Sequence, residues 1–141
     1  MCMGSLRQQV MYPEVESEIG TETDDVITAL LIEFGLEHVL TDWGLEDRSP
    51  VWEDVLSAGE QQRLSFARVV YAQPRVVIMD EATSCLDLQN EAMCMQRIID
   101  EEIAVLTIAH RPSVVRYHQL MLTMESDGTF TPTPLVEMTP C

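Results

Sequence analysis

The 141-residue chain sets 24 Asp+Glu against 8 Lys+Arg, a formal net charge of −16, and 46% of its residues are hydrophobic, enough to build a core. All eight basic residues are arginine, which excludes a Schiff-base lysine, a catalytic lysine base and a phosphate-gripping P-loop lysine from these residues. The acidity argues against a general nucleic-acid or anionic-membrane binder, since both need basic surface. No run free of Asp, Glu, Lys and Arg exceeds nine residues (128–136), where a membrane span needs about twenty mostly apolar ones.

In chain order, Met1-Cys2-Met3-Gly4-Ser5 has no basic head or long apolar run and does not read as a signal peptide. Residues 1–60 carry a net −12 and residues 61–141 a net −4. The run Glu14, Glu16, Glu18, Glu22, Asp24, Asp25 lacks a long apolar pattern and predicts a solvated connection. A helix is predicted over about 24–34, where Val26, Ala29, Leu30 and Glu33 follow a helical period, Thr23 or Asp24 caps the start and Gly35 ends it. A short second helix is predicted over 36–40 and a loop over 42–50.

Ser57-Ala58-Gly59-Glu60 is an S-x-x-E capping box that opens a helix to about Ala72, stopped by Pro74. Residues 75–79 form a short β-branched run ending in two acids and predict a buried strand. A helix is predicted over 89–100 and a second apolar strand over 103–108. Residues 117–124 alternate weakly, as an edge strand or hairpin arm would, and the proline-rich end (Pro132, Pro134, Pro140) predicts a loose tail. Met93, Cys94 and Met95 read as core, and His38 and His118 as surface or interface residues. Trp43 and Trp52 read as anchors of the loop before the capped helix. Cys2, Cys85, Cys94 and Cys141 show no C-x-x-C spacing and predict free thiols.

Strand, helix, strand in the second half predicts a βαβ unit with a parallel sheet. The expected fold is therefore α/β, a small helical lobe followed by a mainly parallel βαβ lobe. The expected divisions are a helical subdomain with its connecting loop over 1–56, the α/β part over 57–128, and a loose tail over 129–141.

Three features carry chemistry. Leu56-Ser57-Ala58-Gly59-Glu60-Gln61-Gln62-Arg63 places unpaired backbone N–H groups, a close-approach glycine and a hydroxyl at a helix N-terminus, which suits a phosphate; alone it is equally a capped helix. Asp80 and Glu81 close the first strand, where α/β sheets bind ligands. Asp80 can hold Mg²⁺ through water and Glu81 can orient or deprotonate an attacking water, although such a pair also suits a turn. His110 follows the second strand and can hydrogen-bond a terminal phosphate or serve structurally.

In order and spacing these features resemble the nucleotide-binding domain of ABC-type ATPases, from about Gly4 to Gly128. Leu56 to Glu60 resembles the ABC signature, Val76 to Glu81 Walker B with its catalytic glutamate, Ser84-Cys85-Leu86-Asp87 the D-loop, and His110 the switch histidine. The stretch Gly4 to Pro13 is similar to the segment after the Q-loop in one group of half-transporters. Trp52 to Ser57, His110-Arg111-Pro112-Ser113 and Tyr117-His118 point to the same group: the peroxisomal fatty-acyl transporters of subfamily D, their plastid relatives and bacterial transporters of that type.

The resemblance implies a partial P-loop-NTPase-like ABC ATPase domain using ATP and Mg²⁺. Asp80 would help position Mg²⁺, Glu81 would be the general base and His110 would contact the γ-phosphate. Ser57, Ala58, Gly59 and Glu60 would meet the ATP of the opposite subunit, and Asp87 would cross the dimer interface. The implied partners are a transmembrane domain absent from this chain and a second nucleotide-binding domain, as homo- or heterodimer, with no nucleic acid. The implied location is the cytoplasmic or stromal face of a peroxisomal, plastid or bacterial inner membrane, with a fatty-acyl or peptide-like cargo.

Two departures are mild. Ala58 replaces the first of the usual two glycines, tolerable at negative φ. Glu60 replaces the usual glutamine and suits the capping box. The larger departure is that G-x-x-x-x-G-K-[ST] cannot occur in a chain without lysine. The chain therefore looks like the second half of such a domain, and on its own is expected to be inactive. The rival readings are a non-transport ABC ATPase and a non-catalytic interaction module that dimerises with an intact one.

Overall fold

A computed structural model describes residues 4–13, 21–48 and 51–135. The first helix, α1 (Leu6–Met11), opens on a capping box: the Ser5 hydroxyl accepts from the Gln8 N–H, and the Gln8 side chain accepts from the Ser5 N–H at 2.9 Å. Helix α2 (Thr21–Glu33) begins before the expected start at Asp24. Glu22 of the acidic run is therefore helical rather than part of a connection, while Asp24 and Asp25 lie in the expected helix; Glu14, Glu16 and Glu18 lie outside the described residues.

Asp24 has a specific partner. Arg7, nearly buried, donates from Nε and Nη2 to the two Asp24 carboxylate oxygens at 2.7 and 2.6 Å, and its Nη1 pairs with Glu46. A planar guanidinium matches a carboxylate in this two-pronged way, so one side chain ties α1, α2 and the segment near Glu46 together.

Gly35, at φ +68°, ends α2 in the left-handed region that glycine enters without steric cost. Helix α3 (Glu37–Trp43) runs past the expected end at Leu40, so Asp42 and Trp43 are helical rather than loop. A single turn, α4 (Trp52–Val55), precedes the capped helix. Buried Trp52 donates from Nε1 to the Gly4 carbonyl at 2.6 Å, and Trp43 meets it edge to face with ring centroids 6.4 Å apart. The two tryptophans thus anchor this approach, as their positions predict.

The capped helix α5 (Ala58–Ala72) starts at Ser57, and Gln73 leaves it in a left-handed conformation before Pro74. Strand β1 (Val76–Asp80), helix α6 (Leu88–Asp100) and strand β2 (Ala104–Ile108) follow, with β1 and β2 parallel from Val76 opposite Ala104 to Asp80 opposite Ile108. This is the expected βαβ unit. The strands are not buried as expected. Met79 joins the core, but Val76 and Ile78 are 60% and 67% exposed, and Leu106 and Ile108 are exposed with them. A parallel sheet is normally covered on both faces, and among the described residues only one face of this pair is.

A 3-10 helix (Pro112–Tyr117) leads to a hairpin of β3 (Leu120–Met124) and β4 (Phe130–Pro134), antiparallel with Met124 opposite Phe130. The loose tail expected from Pro132 and Pro134 is therefore a strand over these residues. With one partner strand only, a proline N–H is not needed on its other side. Pro140 lies outside the described residues.

The core is mostly helical: Ile27, Leu31, Phe34, Leu64, Met95 and Ile98 are fully buried. Cys94 and Met95 belong to it and Met93 packs against it, as predicted. Burial pushes the Cys94 thiol up to about 12, so it is an inert packing group. Cys85 and Cys94 are free thiols, while Cys2 and Cys141 lie outside the described residues. Among the described residues no helix is long and apolar enough to cross a membrane.

Phe34→Ala is expected to cost about 3–4 kcal/mol through cavity formation, whereas Ile78→Thr on the open sheet face is expected to stay within about 0.5 kcal/mol. Urea denaturation of the two variants beside the parent chain measures both.

Candidate functional site

Ser57 and Glu60 form the reciprocal capping box that the sequence predicts. The Ser57 N–H and hydroxyl both donate to Glu60 Oε2, at 2.8 and 2.6 Å. Glu60 Oε1 lies 2.7 Å from His38 Nε2 on α3. The Ser57 hydrogen bond is the main cause that holds the Glu60 carboxyl below its ordinary range, and His38 adds to it. His38 is surface-exposed, as expected, and is also the partner of the signature glutamate.

The hydroxyl proton of Ser57 is thus engaged by Glu60. The first helical N–H groups, on Ala58 and Gly59, have no acceptor within the helix, as at any helix N-terminus. Ala58 sits in the first helical turn without a positive φ, so its methyl is accommodated. Gly59 is needed for a close approach: a Cβ there would lie 3.1 Å from the Cys85 carbonyl oxygen.

That carbonyl belongs to the loop after β1. Gln62, one turn beyond Gly59, holds the same loop by donating to the Glu81 carbonyl at 3.2 Å and to Ser84 Oγ at 3.0 Å, and by accepting from the Cys85 N–H at 2.9 Å. Gln62 stands in the motif quoted from the sequence, but its job is a tertiary contact that no local pattern announces. Ser84 Oγ adds a bond to the Glu81 carbonyl at 2.8 Å.

Asp80 ends β1 as an exposed carboxylate. Glu81 extends the ladder by donating its N–H to the Ile108 carbonyl at 2.9 Å, then turns away at φ +51°. A non-glycine residue in this region carries local strain, a common property of functional turns. Glu81 Oε1 stands 3.6 Å from His110 Nε2, and the His110 side chain is 95% exposed. The parallel pairing therefore brings Asp80, Glu81 and His110 to one end of the sheet.

Asp87 is placed apart from that pair, as the N-cap of α6. It accepts from the Asn90 N–H and side-chain amide, both at 2.8 Å. These bonds, the backbone one first, hold its carboxyl below the ordinary range. His118, expected at the surface, is instead half-buried between the Val114 carbonyl at 3.0 Å and Thr107 Oγ1 at 2.8 Å. A histidine two-sided in its hydrogen bonding can sit against a strand where an apolar residue was not required.

Among the described residues no group of three or more His, Cys, Asp or Glu side chains is placed to hold a metal ion. A single exposed carboxylate such as Asp80 still fits Mg²⁺, which keeps its waters and takes one or two carboxylates with substrate phosphates.

Comparisons with known proteins give the family and the fold. The family model described as "ABC transporter" matches residues 3–84. An uncharacterised ABC transporter ATP-binding protein of Synechocystis is 36% identical over 96% of this chain and 20% of its own length. The lysosomal cobalamin transporter ABCD4 of Mus musculus is 36% identical over 90% of this chain and 22% of its own length. Further subfamily D members match at 32–37% identity. A bacterial Atm1-family ABC exporter with ATP bound shares the fold, with a TM-score of 0.66 at 20% identity over 85% of this chain and 21% of that one. The chain belongs to the ABC transporter family, and it spans about a fifth of the length of the Synechocystis and mouse relatives. The family and the α/β fold expected from the signature, Walker B and switch-histidine residues are the ones found.

Because the Glu60 carboxyl is lowered in the folded chain, its cap stabilises the fold above the ordinary carboxylate range near 4.5 and is lost as pH falls through the lowered value. Glu60→Ala is expected to be about 1 kcal/mol less stable than the parent near neutral pH, with the gap narrowing in acid below the ordinary carboxylate range. Urea midpoints of both chains at neutral and acid pH check the sign.

Proposed function

We propose that this chain supplies the signature-to-switch half of the ATP-hydrolysing domain of a subfamily D type transporter. The observation that carries the reading is the Glu81–His110 approach at the carboxyl end of the parallel strands, with the exposed Asp80 carboxylate beside it. Glu81 is the general base that takes a proton from the attacking water, and His110 hydrogen-bonds the γ-phosphate. Asp80 would hold Mg²⁺, which when bound would neutralise charge on the phosphate oxygens. The N-terminus of α5, through Ser57, Ala58, Gly59 and Glu60, faces ATP held by a second nucleotide-binding domain. Asp87 meets that domain across the interface.

Splitting the site in this way makes ATP part of the contact between two domains, so binding and hydrolysis close and open them. The implied membrane domain converts that movement into transport. We take its membrane to be a peroxisomal, plastid or bacterial inner membrane, with this chain on the cytoplasmic or stromal face, and its cargo to be fatty-acyl or peptide-like. The divisions 1–56, 57–128 and 129–141 remain the proposed organisation, with the hairpin spanning the last boundary.

A second reading is favoured by one observation, the absence of lysine. These residues contain no P-loop, so the chain alone can complete a partner's ATP site but not cradle its own nucleotide. Sequencing the transcript upstream of the Met1 codon separates the two. An in-frame P-loop preceded by apolar spans supports the transporter ATPase. An in-frame stop just upstream supports an interaction module.

The purified 141-residue chain is expected to release no phosphate from Mg-ATP above background in a coupled assay. It is expected to associate with a P-loop-bearing subfamily D domain only when ATP is present, as read by size-exclusion chromatography. Robust turnover by the chain alone, or association indifferent to ATP, contradicts the reading.

A further inference from the structure

The residue after His110 reaches back into the core. Arg111 Nη1 donates to the carbonyls of Thr83 and Leu86, at 2.5 and 2.7 Å, and lies 3.1 Å from Glu91 Oε2. Glu91 stands one turn into α6 beyond its Asp87 cap, and its side chain is 0% exposed. Neither Glu91 carboxylate oxygen has an aligned hydrogen bond among the described residues, and the Arg111 guanidinium is the cation beside it. An uncompensated buried carboxylate is costly, and apolar residues of similar size would fill the same space without that cost. The pair therefore calls for a role beyond packing.

The two carbonyls show what that role is. They bracket Ser84 and Cys85, the residues against which Gly59 and Gln62 rest. One arginine nitrogen thus joins three parts: the segment carrying His110, the loop between Glu81 and Asp87, and the first turns of α6.

We propose that Arg111 is a positioning residue, clamping the loop after β1 onto buried Glu91 and so fixing His110, Glu81 and the N-terminus of α5 relative to one another. The clamp holds the Thr83 and Leu86 carbonyls at a set spacing, and Glu91 keeps the guanidinium aimed between them. The consequence for hydrolysis rests on the function proposed above, while the clamp itself does not.

The test is amide hydrogen exchange by NMR on the full 141-residue chain without nucleotide, so its outcome is independent of ATP-dependent association. If the chain binds its partner with ATP but shows no clamp, this proposal alone fails. Arg111→Gln is expected to raise exchange at Ser84, Leu86 and Asn90 by about tenfold or more, and to leave Leu64 and Met95 within about twofold. It is also expected to move the His110 Cε1–H resonance. Arg111→Lys places a cationic donor near the same carbonyls and is expected to restore most of the protection. Glu91→Gln retains the arginine's carbonyl bonds and is expected to loosen the loop less than Arg111→Gln. Exchange rising equally throughout the chain, no change at the three amides, or a lysine variant as loose as the glutamine variant would overturn the proposal. Should Arg111→Gln fail to fold, the lysine and Glu91 variants decide it: equal loosening of core and loop in both contradicts the clamp, and loosening confined to the loop supports it.

Discussion

Strands β1 and β2 run parallel with Asp80 opposite Ile108, and this register fixes where every chemically interesting side chain can lie. A parallel pair sends both chains out at the same edge, so the acids that follow one strand and the histidine that follows the other emerge together. The Glu81 N–H extends the ladder to the Ile108 carbonyl before the chain turns at positive φ. Helix α6 returns the chain, and α5 is fastened to the outgoing loop by Gln62 and the Gly59 approach. Shifting the register by one residue would put Asp80 and Met79 on each other's faces, exposing a core residue and burying a carboxylate.

The second constraint is charge. An acidic chain whose cations are all arginine uses several of them to join elements. Arg7 links α1 to α2, and Arg97 on α6 reaches Glu33 on α2 at 2.7 Å while pairing with Glu101. Arg111 does the same between the switch segment and α6. Planar, multiply donating arginine suits this bridging better than lysine. The acids that remain are caps as well as solvated charges: Glu60 and Asp87 both satisfy helix N-terminal donors.

Much of this was legible in the sequence wherever local chemistry decides the outcome. The Ser57–Glu60 box, the β-branched run ending at Asp80, and the helix predicted over 89–100 each follow from residues near in sequence. The misses share another cause. Helix α1 is short and its Ser5–Gln8 box precedes no long apolar period, so the pattern stayed below notice although the signal was present. The start of α2 was hidden because its acids resemble a solvated run until Arg7 is brought beside Asp24. Strand β4 was hidden by prolines that only an edge position tolerates. The half-buried setting of His118 depends on Thr107, eleven residues earlier on β2. Gln62 and Arg111 act wholly through tertiary contacts, which spacing does not reveal.

The site described has two parts: an acid–histidine end of a sheet and a capped helix N-terminus fastened to the loop beside it. The central claim is that this helix N-terminus meets ATP held by another domain. A photoreactive ATP carrying its label on the γ-phosphate, cross-linked in a mixture of this chain with a P-loop-bearing subfamily D domain and mapped by mass spectrometry, tests it directly. Labelling of the 57–60 segment that requires the partner is the result expected. Labelling of the chain without the partner, or labelling that avoids this segment in the ATP-bound complex, would contradict it.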